Sequence, residues 1–186
     1  MVRWEPGTAD RLRAAALELY LAQGFDDTTV EQIAAAAGVT ERTYYRHFAD
    51  KREVLFDGQD GLQKAVNGAI SDSAAELPLD LVVAALAATT GFFEEERRPW
   101  SRARQRVLDA TPSLREREML KLDHLRESAA AALEARGISP TLASLAASVA
   151  LSLFHVSFVT WIRDDETRSM AEIQGALLAE LPALLG

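Results

Sequence analysis

The chain of 186 residues has no cysteine, only three histidines and a net charge of −8. Counting alone excludes disulfides, thiolate zinc sites and cysteine nucleophiles, and it leaves too few histidines for a histidine-rich metal site. The acidic balance excludes a protein that coats nucleic acid through bulk electrostatics, because that affinity grows with the number of phosphates neutralised.

Along the chain, Leu12, Ala15, Ala16, Leu19 and Tyr20 recur at helical spacing behind Thr8 as a cap, with Gly24 as the stop. Thr28 and Thr29 each stand three residues before Glu31 or Gln32. That spacing lets a hydroxyl and a carboxylate or amide cap a first turn reciprocally, and predicts a two-turn helix over residues 30–37 ended by Gly38. Thr40 caps a third short helix through His47, and Asp50 with Glu53 opens a fourth. Beyond it, Pro78, Pro99, Pro112, Gly137 with Pro140 and the charged stretch 163–168 interrupt a sequence without period-two alternation. Helices are predicted at about 79–97, 100–110, 113–136, 140–162 and 169–184. The fold expected is all-α, about nine helices. A three-helix helix-turn-helix domain at residues 1–55 is joined through the fourth helix, near Gly58 to Gly61, to a helical bundle at residues 56–186. No apolar run is read as reaching the roughly 18 to 20 uncharged residues of a membrane span, and the first seven residues lack a signal-peptide layout. A cytoplasmic protein with no membrane partner is expected.

Positive charge gathers locally at Arg42, Arg46, Lys51 and Arg52. On the third helix Tyr44 and Phe48 fall four apart and are expected inward, against Ile33, Ala34, Ala37 and Leu17. Arg42, Tyr45 and Arg46 then face outward. Guanidinium groups read guanine edges bidentately, and the Tyr45 and Thr43 hydroxyls bond phosphates or bases. A Tyr-Tyr-Arg-His run alone would be a mixed surface face; behind a glycine turn it points to DNA in the major groove.

The runs Thr29-Val30-Glu31-Gln32-Ile33-Ala34, Ala37-Gly38-Val39-Thr40, Thr43-Tyr44-Tyr45-Arg46-His47-Phe48 and Lys51-Arg52-Glu53-Val54-Leu55 closely resemble the DNA-binding signature of TetR/AcrR-family regulators. Ala15-Ala16-Leu17-Glu18-Leu19-Tyr20 with Gly24-Phe25 fits that family's first helix. The resemblance covers roughly the first 55 residues. It implies that Tyr45, His47 and Lys51 contact the DNA backbone and that Arg42, with Arg46 second, reads a base. Lys51 is expected at the start of the fourth helix, where its ammonium and the free amides share one phosphate. Thr29, Thr40 and Thr43 complete the DNA-binding set. Where the family often has an arginine early in the first helix this chain has Ala9, so Arg3 or Arg11 is left to serve.

For the C-terminal part the resemblance implies a regulatory bundle in which a ligand moves the connecting helix and changes the spacing of two DNA-binding heads. The residues themselves offer large apolar groups: Phe92, Phe93, Trp100, Val107, Leu108, Met119, Phe154, Phe158 and Trp161. The candidate effector site takes Phe92, Trp100, Leu108, Phe154 and Phe158, with Arg104, His124 or His155 as the orienting polar contact, and suits a small hydrophobic or aromatic effector. Plain core is the other reading of the same aromatics, and His155 is expected inside the bundle. Met119, Asp123 and His124 are read as a solvated face rather than a metal site. Leu142, Leu145, Ala146, Val149, Ala150, Leu153 and Val156 form one apolar side, and Ile173, Leu177, Leu178, Leu181 and Leu185 form another. Those two helices from each chain would make a two-fold homodimer matching a palindromic double-stranded operator. No cofactor is expected, and no nucleophile–base pair, carboxylate dyad or phosphate loop points to an enzyme. Two functional readings stand: an effector-released repressor, and an architectural or division-control protein with a protein partner. A closed, polar-lined cavity among residues 79–162 favours the first, and a solid core with an exposed apolar patch the second.

Overall fold

The computed structural model describes residues 7–184; Arg3 and Leu185, named above, lie outside them. The described residues are helical throughout, with nine α-helices and no strand. Two compact units are present. One contains residues up to Asp57 with Ala103–Glu118; the other contains Gly58–Arg102 and the chain from Met119 onward.

In the first unit, α1 (Thr8–Gln23) buries Leu12, Ala16, Leu17 and Tyr20 on one face. It starts from Gly7, with Thr8 as its first residue, and ends at Gly24, whose φ of 90° few other residues would adopt. α2 (Val30–Ala36) is capped by Thr29 alone: Thr29 Oγ1 accepts from the Gln32 amide at 3.2 Å, and Gln32 Oε1 accepts from the Thr29 amide at 2.9 Å. Thr28 instead donates its hydroxyl to the Gly24 carbonyl. Gly38, at φ 69°, turns the chain into α3 (Glu41–His47), whose N-cap Thr40 accepts from the Thr43 amide.

The fourth helix does not open at Asp50, which corrects the expectation for that stretch. The Asp50 carboxylate accepts from the amides of Arg52 and Glu53, but it caps a turn and a short 3-10 segment, Glu53–Leu55. Val54, Leu55 and Phe56 are all buried. Three consecutive apolar side chains cannot share one α-helical stripe, and the tight turn buries them together. Gly58, at φ 94°, then starts α4 (Gln59–Asp72).

The second unit contains α4, α5 (Pro78–Thr89), the first turn of α6 (Arg98–Ala110), most of α7 (Pro112–Ala135), α8 (Pro140–Trp161) and α9 (Met170–Glu180). Pro78, Pro112 and Pro140 each occupy the first helical position, where the missing N–H is not needed. The predicted 79–97 helix ends at Thr89 and continues as two 3-10 turns, Thr90–Phe92 and Glu95–Arg97. Leu62, Val66, Ile70, Leu81, Leu86, Leu133, Ala147 and Trp161 form the centre of its core. Arginines collect the carbonyls left over at helix ends: Arg136 donates to Ile70, Ser73 and Ala75 after α4, and Arg102 to Ile162 after α8. Arg98 lies over the Trp161 ring and bonds the Glu166 and Arg168 carbonyls, which fixes the α8–α9 connection.

α8 also corrects the reading of apolar runs. Its 22 residues carry no Asp, Glu, Lys or Arg, so by length and composition it is long and apolar enough to cross a membrane. In this structure it packs against α5 and α9.

Candidate functional site

α3 is seated by its inward residues. Tyr44 is fully buried, touches Phe48 at a ring distance of 5.5 Å, and donates its hydroxyl to the Asp50 carbonyl at 3.1 Å. Tyr20 donates in the same way to the Lys51 carbonyl. Burial first pushes both phenols well above their ordinary range, followed by Tyr44 and then the Asp50 carboxylate for Tyr20 and by the Asp50 carboxylate for Tyr44, so both remain donors. With this seat fixed, Arg42, Tyr45 and Arg46 share the outward side at helical spacing. All three are exposed, Tyr45 by 55 %, with its ring edge-on to Tyr44 at 5.6 Å. Neither Arg42 nor Arg46 bonds to any described residue. His47 is exposed beside Phe48, and the Thr40 and Thr43 hydroxyls lie 3.1 Å apart at the start of the helix. Thr29 is exposed at the start of α2, its hydroxyl oxygen engaged in the cap.

Two cations expected to face phosphate are held elsewhere. Lys51 sits on the turn rather than at a helix start. Its Nζ donates to the carbonyls of Phe25 (2.7 Å), Thr28 (3.0 Å) and Asp26 (3.3 Å) and lies 4.2 Å above the Phe25 ring. An ammonium has three protons, and three carbonyls take them. Arg11 donates through Nε to the Ala37 carbonyl at 3.3 Å, tying α1 to the end of α2.

The second unit holds an apolar cavity of about 30 Å³ among α4, α5, α7 and α8. Val66, Leu86, Ala129, Leu133, Ala147 and Phe154 line it, and Thr89 and Arg126 are its polar neighbours. The polar lining expected of an effector cavity is therefore sparse. Of the eight residues proposed from sequence, Phe154 alone borders it. Phe158 is packed with Phe93 and Trp161 at ring distances of 5.5 and 6.3 Å, and Phe92 lies against Gly61. Trp100 is half-buried outside the lining. His124 and His155 are exposed, so His155 is not inside the bundle.

Arg104 and Leu108 belong to the first unit. Leu108 is fully buried there. Arg104 donates to the Leu55 carbonyl (2.8 Å) and to Glu118 (2.9 Å), with its guanidinium 5.0 Å over Phe56. A buried guanidinium needs acceptors for its fork, and that need places it in the turn rather than beside a ligand. The cavity residues missing from the sequence reading are alanines and branched aliphatics on facing helices, whose only signal is the absence of bulk.

α8 presents an uncovered apolar stripe. Leu142, Leu145, Val149, Ser152, Val156 and Val159 alternate in steps of three and four, and Leu145 and Val156 are 60 % and 46 % exposed. Ala146 is buried, and Ala150 and Leu153 pack on the core, so that part of the predicted side serves internal packing. On α9, Ile173 is buried and Leu177 and Leu178 pack on the same core.

The family model described as bacterial regulatory proteins, tetR family, matches residues 12–57. The HTH-type transcriptional regulator TcmR of Streptomyces glaucescens is 45% identical over 85 residues, which is 45% of this chain and 38% of TcmR. MftR of Mycobacterium tuberculosis, a transcriptional regulator assigned by name to mycofactocin biosynthesis, is 31% identical over 173 residues, 91% of this chain and 86% of MftR. Among solved structures, the Thermus thermophilus repressor FadR in complex with lauroyl-CoA superposes with a TM-score of 0.53 at 21% identity, over 94% of this chain and 93% of FadR. That likeness is one of fold.

Proposed function

Because the chain belongs to the TetR family of bacterial regulatory proteins, we propose that this transcriptional regulator is a homodimeric repressor that binds a palindromic operator through α3 and is released by a small hydrophobic effector. The observation that carries the DNA reading is the exposed row Arg42, Tyr45 and Arg46, whose two arginines bond to none of the described residues, on a helix whose other side is locked by Tyr44 and Phe48. An arginine standing free breaks no intramolecular bond when it turns to a guanine edge or a phosphate. Arg42, near the start of the helix, takes the base contact and Arg46 the second. Tyr45, His47, Thr40 and Thr43 take phosphates, with Thr29 and the first amides of α2 beside them. Lys51 holds the turn that presents this face instead of touching DNA itself.

Dimerisation is assigned to the exposed α8 stripe with α9, because a seam of five apolar residues and Ser152 at heptad spacing is more apolar surface than a solvated helix face carries. The effector is assigned to the apolar cavity of the second unit. FadR, which shares the fold, is known in complex with lauroyl-CoA, a ligand that carries a long alkyl chain. The regulator works in the cytoplasm on double-stranded DNA and needs no cofactor.

The test is selection of genomic fragments on the purified protein, followed by footprinting and by release with hydrophobic compounds. Recovered fragments should share an inverted repeat with half-sites about one helical turn apart. Fragments without a common sequence would end the specific-reader reading. Retention of DNA against every hydrophobic compound, together with capture of a protein on the α8 stripe, would favour the architectural reading.

A further inference from the structure

We propose that the effector is a single-chain amphiphile with a carboxylate head: its alkyl tail enters the apolar cavity among α4, α5, α7 and α8, and its head stays outside at Arg126. This rests on the effector reading above and specifies its chemistry.

Two spaces in the second unit share a wall. The inner one is the apolar cavity. The outer one is a groove of about 470 Å³ between α7 and α8, bordered by Leu122, Ser148, Ser152, His155 and Val156, of which Ser152 and Val156 also belong to the α8 stripe assigned to the dimer seam, so the groove runs along the edge of that seam. Arg126 and Leu151 border both spaces. A ligand that used both would pass those two side chains, one apolar and one cationic, and would need an apolar part inside and a charged part outside.

The inner space favours a chain over a ring system. At about 30 Å³ it has room for roughly two waters and for no ring system. Any effector must spread the helices, and an extended alkyl tail has the smallest cross-section for the apolar area it buries. Each methylene buried is worth roughly fourfold in affinity. Because the ligand fits only the spread state, its binding biases the bundle toward that state, as release of DNA requires.

The outer space favours an anion. Arg126 is the charged residue on its wall; neither Asp123 nor Glu127 borders it. Asp123 Oδ1 accepts from Arg126 Nε (2.9 Å) and Nη2 (2.6 Å), which holds the guanidinium at the rim. That pair is partly exposed, the Asp123 side chain by half, so exchanging one carboxylate for another costs little. The Ser148 and Ser152 hydroxyl protons are committed to the Ser144 and Ser148 carbonyls. Arg126 and the exposed imidazole of His155 are therefore the donors that a carboxylate head meets.

The experiment titrates the purified full-length protein by calorimetry with dodecanoate, dodecyltrimethylammonium and butyrate, each below its micelle-forming concentration. Dodecanoate should bind, the ammonium at least tenfold more weakly, and butyrate not measurably. Arg126→Gln should weaken dodecanoate about tenfold or more, the loss of a charge-assisted bond, with the melting temperature unchanged. Leu151→Trp should block dodecanoate altogether; the Arg126→Gln and head-group comparisons stand without it should that variant fold poorly. No binding of dodecanoate, equal binding of the ammonium, or an unchanged affinity in Arg126→Gln would overturn the inference. Retention of operator fragments in the same samples separates it from its premise. Dodecanoate that binds without releasing DNA upholds the site and refutes effector release. Release by 1-dodecanol with no binding of dodecanoate upholds release and refutes the carboxylate head.

Discussion

Replacing Lys51 with methionine tests whether this lysine builds the DNA-reading unit or touches DNA. The side chain keeps its length and loses three N–H donors. Of the three bonds, those to Phe25 and Thr28 are short and partly buried, while that to Asp26 is long and exposed. Bonds from a charged donor contribute roughly 1.5 to 3 kcal/mol each, and a cation over a ring about 0.5 to 1 kcal/mol at a partly exposed site. Against this stands the recovered desolvation of the ammonium and the access of the freed carbonyls to water. The net loss expected is about 2 to 3 kcal/mol. The chain has two units, so one global melt would not isolate the effect; native-state hydrogen exchange at the α2 and α3 amides does. Protection there should fall roughly 30- to 150-fold, with the second unit unaffected. On a random-sequence duplex the slope of log affinity against log salt should match the parent, whereas Arg46→Ala should reduce it by about 0.9. Unchanged protection combined with a slope lower by about 0.9 in Lys51→Met would refute the reasoning and return Lys51 to a phosphate.

Arg42→Ala should cost about 1 to 3 kcal/mol on the selected operator and relax preference at one base position, read by competition among single-base operator variants; uniform weakening would refute base reading. Burial raises the Asp50 carboxyl, but its bonds from the Arg52 side chain and from the Arg52 and Glu53 amides outweigh it and hold the group below its ordinary 3.8. Its stabilisation is thus present at neutral pH and lost as pH falls below about 4; Asp50→Asn should flatten that part of a stability profile taken from pH 7 to 3. Leu145→Glu should turn a dimer into a monomer in analytical ultracentrifugation and weaken binding to the inverted repeat far more than to one half-site. Glu166 is held at about 2 by its bonds from the Arg168 side chain and amide. The exchange protection of the α8–α9 connection should therefore be full above about 4.5, decline progressively as pH falls below it and reach its floor near 2, a dependence that Glu166→Gln removes.

The DNA-reading helices were legible because their determinants are local. Thr29 with Gln32, Thr40, the left-handed Gly38 and the four-residue spacing of Tyr44 and Phe48 each act within one or two turns of chain, so short-range chemistry and final structure agree. Asp50 and Glu53 show where that stops. The same carboxylate spacing caps a helix or a turn, and the choice fell to the joint burial of Val54, Leu55 and Phe56, which depends on distant partners. The cavity proposed for the effector was hidden for a related reason. Bulky aromatics such as Phe158 fill space and pack on one another, while a cavity forms where facing helices offer Ala85, Ala129 and Ala147, and no single-helix pattern records what the opposite helix lacks.

Cations show the sharpest divergence between sequence and structure, with a consequence for binding. A count along the chain places Arg42, Arg46, Lys51 and Arg52 in one basic cluster. In the structure Lys51 serves three carbonyls and Arg52 pairs with Asp50 at 2.9 Å, which leaves Arg42 and Arg46. Each phosphate neutralised contributes a slope of about 0.9. A dimer with two free arginines per protomer should thus show shallow salt dependence and weak nonspecific affinity, as suits an acidic protein. Its affinity for the operator must come instead from base contacts made twice at a fixed spacing. In the proposed dimer the separation of the two α3 helices is then the quantity on which operator affinity depends most steeply.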